Sequence, residues 1–214
     1  MALQYKVIPV TDFGQNCSLL WCDQTRQAVL VDPGGETDRL LAEIEEKNLV
    51  LSALWLTHGH IDHVAGAPQL REKMSVKIYG PHQADQFWLE RVPEQARRFS
   101  FLAGGEAFTP DTWLKEGDHL TVGNETLTVK HIPGHTPGHV VFCHAPSHLL
   151  VGGDVLFYRS VGRTDFEQGS QDDLLTNIRE KLLILPDDTT VITGHGPLTT
   201  IGAEKQNNPY LKPR

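Results

Sequence analysis

The sequence predicts an α/β protein in which mixed β-sheets are covered by helices. Short apolar segments with strand character alternate with amphipathic helical segments, and strand hairpins occur in both halves of the chain. The chain has 214 residues, of which 39% are hydrophobic and 21% are charged, as in a globular protein with one sizeable core. We therefore expect residues 1–214 to form a single domain.

The first third of the chain is predicted to contain five strands and two helices. Leu40, Leu41 and Ile44 fall on one helical face and acidic residues on the other, which predicts the first helix. A second, short helix is expected to end near Lys73. Apolar and β-branched residues bounded by turn residues predict the strands, at 5–10, 16–22, 27–32, 52–56 and 76–79.

The segment 82–118 has no clear periodicity. Its aromatic residues are Phe87, Trp88, Phe99 and Phe101, and they stand among Pro, Gly and charged residues. Two interpretations remain open: these rings line one wall of a substrate cleft, or they form a separate hydrophobic cluster.

The last part of the chain is predicted to form a hairpin, three strands and one helix. The hairpin turns at Gly123–Asn124, and the segments HVVFCH and HLLVGGD are two further strands. A helix is expected from about Gln171 to Leu183, with Leu174, Leu175, Ile178 and Leu182 as its apolar stripe. The segment TTVITG is predicted to be the last strand, and His195 follows it.

The charge of the chain excludes some function classes. The net charge is −8, which disfavours nucleic acid as a partner. The one basic cluster is Arg91, Arg97 and Arg98, and it is interpreted as a solvated helix face. No apolar run approaches the length of a membrane span, so no membrane partner is expected.

The cysteines and the first residues of the chain predict a cytoplasmic protein. Cys17, Cys22 and Cys143 have no Cys-x-x-Cys spacing and are expected to be reduced, mostly buried thiols. The start MALQYKVIPVTDF lacks the basic and apolar regions of a signal peptide.

The densest group of chemical side chains follows the predicted strand LWL, in the sequence THGHIDH. It places His58, His60, Asp62 and His63 within six residues. Alternate residues of an extended chain face the same side, so His58 and His60 can converge on one point. Asp62 and His63 follow where the chain turns into a helix, and they are expected to face a neighbouring point. This arrangement suits two metal ions lying close together.

Three further candidate ligands stand where other predicted strands end. His135 lies in PGHTPGH, Asp154 ends LLVGGD, and His195 follows TVITG. The complete set of five His and two Asp offers nitrogen and oxygen ligands, which suit Zn, Fe(II) or Mn. Two further histidines flank the His135 loop and are candidates for supporting hydrogen bonds, and the other four are assigned no function: His131 and His139, then His82, His119, His144 and His148.

The sequence THGHIDH resembles the His-x-His-x-Asp-His signature of the metallo-β-lactamase superfamily, and the three remote ligands fall in its later motifs. The resemblance extends from NCSLLWCD and LVDPGG to NPYL, and it is strongest to short hydroxyacylglutathione hydrolases of the glyoxalase II type. It implies a four-layer αβ/βα sandwich with the site at one edge, between the two sheets. It also divides the ligands into His58, His60 and His135 for one metal and Asp62, His63 and His195 for the other, with Asp154 bridging them.

The implied activity is that of a metal-dependent hydrolase with two divalent metal ions, zinc first and Fe or Mn as alternatives. A metal-bridging hydroxide, oriented by Asp62, would attack a glutathione thioester, S-lactoylglutathione above all. The segment GRTDF resembles the part of glyoxalase II enzymes that contacts a glutathione carboxylate, so Arg163 is the predicted contact there, and Tyr158 is the second predicted substrate contact. The chain ends about twenty residues after His195, which leaves no room for the C-terminal helical extension of longer glyoxalase II enzymes.

Other functions remain open at this point. GRTDF is equally similar to the persulfide dioxygenases, which would need only His58, His135 and Asp154 around one iron. Another metallo-hydrolase of the same fold is a further alternative. A non-enzymatic binding module would have little use for seven intact ligands, so it ranks last. The sequence does not indicate an oligomeric state.

Overall fold

Two mixed β-sheets pack face to face, and helices cover the outer side of each sheet. The computed structural model describes residues 3–101 and 105–212. This arrangement has four layers, as the resemblance implied, and the α/β class predicted from the sequence is confirmed.

The first sheet has five strands in chain order. The strands β1 to β3 run antiparallel to one another, whereas β4 and β5 join the sheet by parallel pairing. All five predicted strands are present, with bounds β1 Leu3–Val10, β2 Gln15–Cys22, β3 Gln27–Val31, β4 Val50–Trp55 and β5 Lys77–Tyr79.

Five helices accompany this sheet. The predicted first helix is present and buries Leu40 and Ile44, and the second divides into two short helices. Segment 82–118 contributes a 3₁₀ turn at Gln83–Asp85 and two helices, of which the second carries Arg97 and Arg98, interpreted from the sequence as part of a helix face. The bounds are α1 Thr37–Glu46, α2 Ile61–Val64, α3 Ala67–Met74, α4 Gln86–Glu90 and α5 Val92–Phe99.

The second sheet has six strands in the order β13-β12-β9-β8-β7-β6, and a small ribbon, β10–β11, stands apart from it. The predicted hairpin is present and turns at Gly123–Asn124, where Val122 pairs with Glu125. The bounds are β6 His119–Val122, β7 Glu125–His131, β8 Val140–His144, β9 Leu149–Gly153, β10 Leu156–Phe157, β11 Ser160–Val161, β12 Thr190–Thr193 and β13 Thr199–Thr200.

Two helices cover the second sheet. The helix α6, Gln171–Asn177, continues as a π-helical turn at Ile178–Leu182. The helix predicted from about Gln171 to Leu183 is therefore present, but its second half is π-helical rather than α-helical. The helix α7, Ile201–Asn207, was not predicted. The prediction that TTVITG is the last strand was wrong, because β13 follows it. A two-residue strand is too short to show an alternating pattern.

Alternation along the strands explains the layers. In β3, Val29 and Val31 face the second sheet, whereas Leu30 faces the helices of the first layer. Between the sheets the rings of Trp55 and Phe142 lie 5.3 Å apart. Both outer faces are apolar as well, and the second packs against Leu174 and other residues of α6. Each sheet is therefore buried on both sides.

The two sheets also meet at one edge through hydrogen bonds. The side-chain amide of Asn16 in β2 donates to the carbonyls of Thr193 and Gly196, and its backbone N–H donates to the carbonyl of Gly194. An isolated bridge pairs Gln15 with His195 beside them. The end of β12 is thus held against the first sheet.

Within the described residues, no helix is both long enough and apolar enough to cross a membrane.

Cys17, Cys22 and Cys143 are free thiols, of which the first two are buried.

Candidate metal centre

The seven candidate ligands lie where four strands end, along the seam between the sheets. The turn after β4 carries His58 and His60, and the helix α2 that follows it directly carries Asp62 and His63. The others follow β7, β9 and β12, which run in the same direction in the second sheet and so end at the same edge. The structure therefore brings together side chains that are up to 137 residues apart in sequence, from His58 to His195.

Three imidazoles form the first group. Nδ1 of His60 lies 3.1 Å from Nε2 of His58 and 3.0 Å from Nε2 of His135. All three side chains are buried. Three ring nitrogens converge here without a carboxylate between them, so a bound cation would satisfy them better than one shared proton could.

The second group combines one carboxylate and two imidazoles. Oδ2 of Asp62 lies 3.1 Å from Nε2 of His195 and 3.7 Å from Nε2 of His63. Asp154 lies between the groups: its Oδ2 is 3.6 Å from Nε2 of His135 and 3.7 Å from Nε2 of His195. This is the position that a carboxylate shared by two ions would occupy.

The outer ring nitrogens of four of these histidines are held by hydrogen bonds. Nδ1 of His135 donates to the carbonyl of Arg163 at 2.7 Å, and Nδ1 of His195 donates to that of Phe13 at 3.2 Å. Nδ1 of His58 lies 3.0 Å from the Thr57 hydroxyl. Such bonds fix the tautomer that leaves Nε2 free to bind a metal.

Asp32 completes this set of supports. Its Oδ2 lies 2.9 Å from Nδ1 of His63 and accepts the Thr57 hydroxyl at 2.6 Å. No role was predicted for Asp32, although its position at the end of β3 in LVDPGG was a usable signal. His139 also supports the site, since its Nε2 accepts the Asp154 backbone N–H at 3.0 Å and its ring stacks on that of His58.

The other histidines lie outside the ligand groups. His131 stacks on His82, and Nε2 of His131 contacts the carbonyl of Pro137. His144 is buried against Glu125 and Ser147, His148 pairs with Asp188, and His119 is exposed.

The first group is electrostatically suited to neutral imidazoles. Burial lowers the pKa of His58 well below its usual range. Burial and the neighbouring His135 lower the pKa of His60 to about 3, and burial lowers that of His135. At neutral pH these rings are uncharged, and a neutral imidazole is the form that binds a metal.

The second group has the opposite character. Burial would lower the pKa of His63, but Asp154 and Asp62 outweigh it and raise that pKa well above its usual range. Burial would raise the pKa of Asp154, but His63, His135 and His195 hold it well below its usual range. Two ionised carboxylates therefore create a negative potential that favours a positive charge at this point.

Buried polar atoms without a partner also indicate that the site fits metal ions. Nε2 of His63, which faces Asp62 and Asp154, and Oδ1 of Asp154 are buried and have no hydrogen bond among the described residues. Each unpaired buried group would cost about 1–3 kcal/mol. The donor set, the held outer nitrogens and these atoms all fit two divalent cations.

A cleft of about 690 Å³ opens over the two groups. Segment 82–118 forms part of its wall, because Trp88, Gln95 and Phe99 line it. The ring of Trp88 lies edge-on to His60, with 4.7 Å between the ring centroids. The two interpretations of this segment each describe part of it: the rings of Trp88 and Phe99 line the cleft, whereas that of Phe101 packs against the hydrophobic core.

The rim of the cleft carries positive charge. Arg91 and Arg98, interpreted from the sequence as a solvated helix face, are exposed but also line the cleft. Arg163 lines it too, with 70% of its side chain exposed and its guanidinium paired with Asp165. Tyr158, predicted beside Arg163, is half-exposed and lies outside the lining residues; its neighbour Phe157 lines the cleft instead.

Comparison with known proteins agrees with this geometry. The profile of the Metallo-beta-lactamase superfamily matches residues 10–195. Among curated proteins, the chain is 48% identical over 210 residues to "Hydroxyacylglutathione hydrolase GloC" of Haemophilus influenzae, and the match covers 98% of both chains.

Two solved structures are similar over nearly the whole chain. One is described as the BLEG-1 B3 metallo-beta-lactamase, with a TM-score of 0.90, 37% identity, and coverage of 98% of this chain and 100% of that one. The other is TTHA1623 in a di-iron-bound form, with a TM-score of 0.87, 35% identity, and coverage of 96% and 100%. The fold, the ligand pattern and these matches together show that the chain belongs to the metallo-β-lactamase superfamily.

Proposed function

We propose that the protein hydrolyses glutathione thioesters, with S-lactoylglutathione as the foremost substrate, using two divalent metal ions, zinc first. The observation that carries the proposal is the pair of adjacent ligand groups with Asp154 between them, inside a cleft. Such two-metal sites activate water for attack on a carbonyl group. The 48% identical relative named as a hydroxyacylglutathione hydrolase supports the choice of a glutathione thioester.

The ligand side chains supply most of the required chemistry. Two ions held by the seven His and Asp side chains would lower the pKa of a coordinated water toward about 7 and polarise the substrate carbonyl. The pKa of Asp62 is below its usual value, because His63 and His195 outweigh the effect of burial. Its ionised carboxylate is therefore the acceptor that would orient the attacking water.

The leaving group needs little help from the protein. Expulsion from a thioester releases a thiolate whose thiol has a pKa of about 8.5, so no general acid is required. The cleft instead has to exclude bulk water and hold the substrate. Trp88 and Phe166 provide apolar walls, and Arg98 and Arg163 provide positive charge for the carboxylates of glutathione.

Metal analysis combined with an activity assay tests the proposal. The purified protein is expected to hold two metal ions per chain and to hydrolyse S-lactoylglutathione, with both properties lost together in a metal-free preparation. One iron per chain with oxygen uptake on glutathione persulfide would replace the proposal by a persulfide dioxygenase. Hydrolysis of a β-lactam without thioester hydrolysis would equally overturn it.

A further inference from the structure

The segment from Gln83 to Phe99 packs directly against the backbone of the turn that carries His58 and His60. An added Cβ at Gly59 would lie 2.5 Å from Cβ of Trp88 and 3.3 Å from the carbonyl oxygen of Asp85. Only glycine fits at such a distance. The two segments are therefore in backbone contact beside the first ligand group.

One buried amide holds both peptide groups that flank His60. Oε1 of Gln95 accepts the backbone N–H of Ile61 at 3.0 Å. Nε2 of the same side chain donates to the carbonyls of Gly59, at 3.3 Å, and Trp88, at 2.9 Å. The reverse orientation of the amide would place its NH₂ group against the Ile61 N–H, so the three contacts specify one orientation.

One buried carboxylate joins this turn to the loop of His135. Oδ2 of Asp85 accepts the Gly59 N–H at 2.9 Å and the Thr136 hydroxyl at 2.8 Å. Oδ1 accepts the Gly138 N–H at 2.5 Å. The side chain of Asp85 is fully buried, and all of these contacts are donors to it. Asp85 therefore sets the distance between two loops that each carry members of the first group.

His60 differs from the other four candidate histidine ligands in a way that makes these contacts matter. Its Nε2 has no hydrogen-bond partner in the part of the chain that the structure describes. The others are oriented through an outer ring nitrogen, whereas the direction of the His60 ring depends on its backbone and on ring contacts with Trp88 and Phe166.

We propose that Asp85 and Gln95 are positioning residues that fix His60 and the His135 loop, and thereby preorganise the first ligand group for its metal. Neither side chain belongs to a ligand group, and both act through backbone atoms of the two loops. The inference rests on the proposed binding of two metals.

Stepwise metal affinity tests this inference. Metal-free wild-type protein and the variants Gln95→Met and Asp85→Asn are titrated with Zn²⁺ against a chromophoric chelator. Gln95→Met removes the amide contacts at nearly constant volume, and Gln83→Met, at an exposed position of the same segment, is the matched control. We expect one of the two affinities to fall about 10–100-fold in Gln95→Met and Asp85→Asn, with the other affinity unchanged. We also expect kcat to fall while KM for S-lactoylglutathione stays the same.

Several outcomes would contradict the inference. Equal loss of both affinities, in proportion to a lower melting temperature of the metal-free variants, would show a merely structural role. Unchanged affinities would show no role. If Asp85→Asn does not fold, Gln95→Met decides alone, because an uncharged, volume-matched change retains the packing. If the wild-type protein binds no Zn²⁺, the proposed function itself is contradicted, and this result is visible before any variant is measured.

Discussion

Nδ1 of His63 lies 2.9 Å from Oδ2 of Asp32, and this hydrogen bond directs Nε2 of His63 toward Asp62 and Asp154. Asp32 also accepts the backbone N–H of Thr57, at 2.7 Å, on its other oxygen. One buried carboxylate at the end of β3 thus orients a candidate ligand and fixes the start of the turn that carries it.

Replacing Asp32 by Asn should weaken metal binding. The amide has only one acceptor oxygen, and its NH₂ group would face groups that now donate hydrogen bonds to the carboxylate. We expect the affinity for Zn²⁺ to fall about 10–100-fold, measured by chelator competition. Asp38→Asn, at an exposed position of α1, is the control and should bind like the wild type. Unchanged affinity in Asp32→Asn would mean that His63 is not oriented by this bond.

Removing candidate ligands should separate the two metal positions. His135→Ala should lose one metal, since His135 belongs to the first group only, whereas Asp154→Ala should lose both because Asp154 contacts both groups. The rate of thioester hydrolysis should fall by more than about 100-fold in each variant, which is more than the loss expected when a residue that only supports a ligand is changed. Elemental analysis per chain is the measurement, with the exposed His119→Ala as control. Full activity in either variant would overturn the assignment.

Trp88→Ala tests the cleft wall formed by segment 82–118. The Trp88 ring contacts His60 and lies 6.3 Å from the ring of Phe166, and both aromatic residues line the cleft. We expect KM for S-lactoylglutathione to rise about tenfold, equivalent to about 1.4 kcal/mol of lost contact. Phe87→Ala, next to it but outside the lining residues, should leave KM unchanged. A lower melting temperature with no change in KM would favour the separate hydrophobic cluster.

Arg98→Ala tests recognition of the substrate carboxylates. Among the described residues Arg98 makes no ion pair, whereas Arg91 is paired with Glu167 and Arg163 with Asp165. An uncompensated cation should bind a carboxylate most strongly, so we expect KM to rise about tenfold in Arg98→Ala and less in Arg163→Ala. Arg97→Ala, on the same helix but outside the cleft, is the control. Equal effects of Arg97→Ala and Arg98→Ala would indicate general electrostatic attraction only.

Cys143 should react slowly with alkylating agents in the folded protein. The residue is partly exposed, but the surroundings of its thiol shield it from water and raise the pKa of the thiol to about 11, so only about one molecule in a thousand carries the reactive thiolate at pH 8. We expect alkylation by iodoacetamide at pH 8 to be about 200-fold slower than in the urea-unfolded chain, where the pKa is about 8.5. Peptide mass spectrometry of timed samples measures this. Equal rates in the two states would show that the thiol is accessible.

Much of the candidate site could be predicted because ligands at strand ends leave a local pattern. His58 and His60 occupy alternate positions just after an apolar strand. His195 follows a strand and a glycine, as His60 follows Gly59 after the strand LWL. The geometry of the site then follows from the parallel directions of β7, β9 and β12. Asp32 left a weaker signal, a carboxylate at a strand end without a neighbouring histidine.

Other parts of the molecule leave no pattern in the sequence. Asp85 and Gln95 form hydrogen bonds with backbone groups of a loop that is distant in sequence. Nearly every residue type carries the same backbone groups, so these contacts leave no pattern in the sequence. Tyr158 lies in the turn just after the two-residue strand β10 and outside the cleft lining, whereas Phe157 at the end of that strand lines the cleft; no pattern in so short a strand distinguishes the two positions. The helix α7 has only seven residues, about two turns, and Ile201 and Ala203 are its only hydrophobic side chains, so no apolar stripe recurs along it.

The division of the ligands between the sheets has a mechanical consequence. The first half supplies four of the seven through the turn after β4 and the helix α2 that follows it, and the second sheet supplies three through the loops after β7, β9 and β12. Ions bound there would be a crosslink between the two halves of the sandwich, in line with the Asn16 contacts at the same edge. The free energy of metal binding would then also hold the layers together. A chelator that removes the metal ions would therefore both stop the reaction and weaken the packing of one sheet against the other.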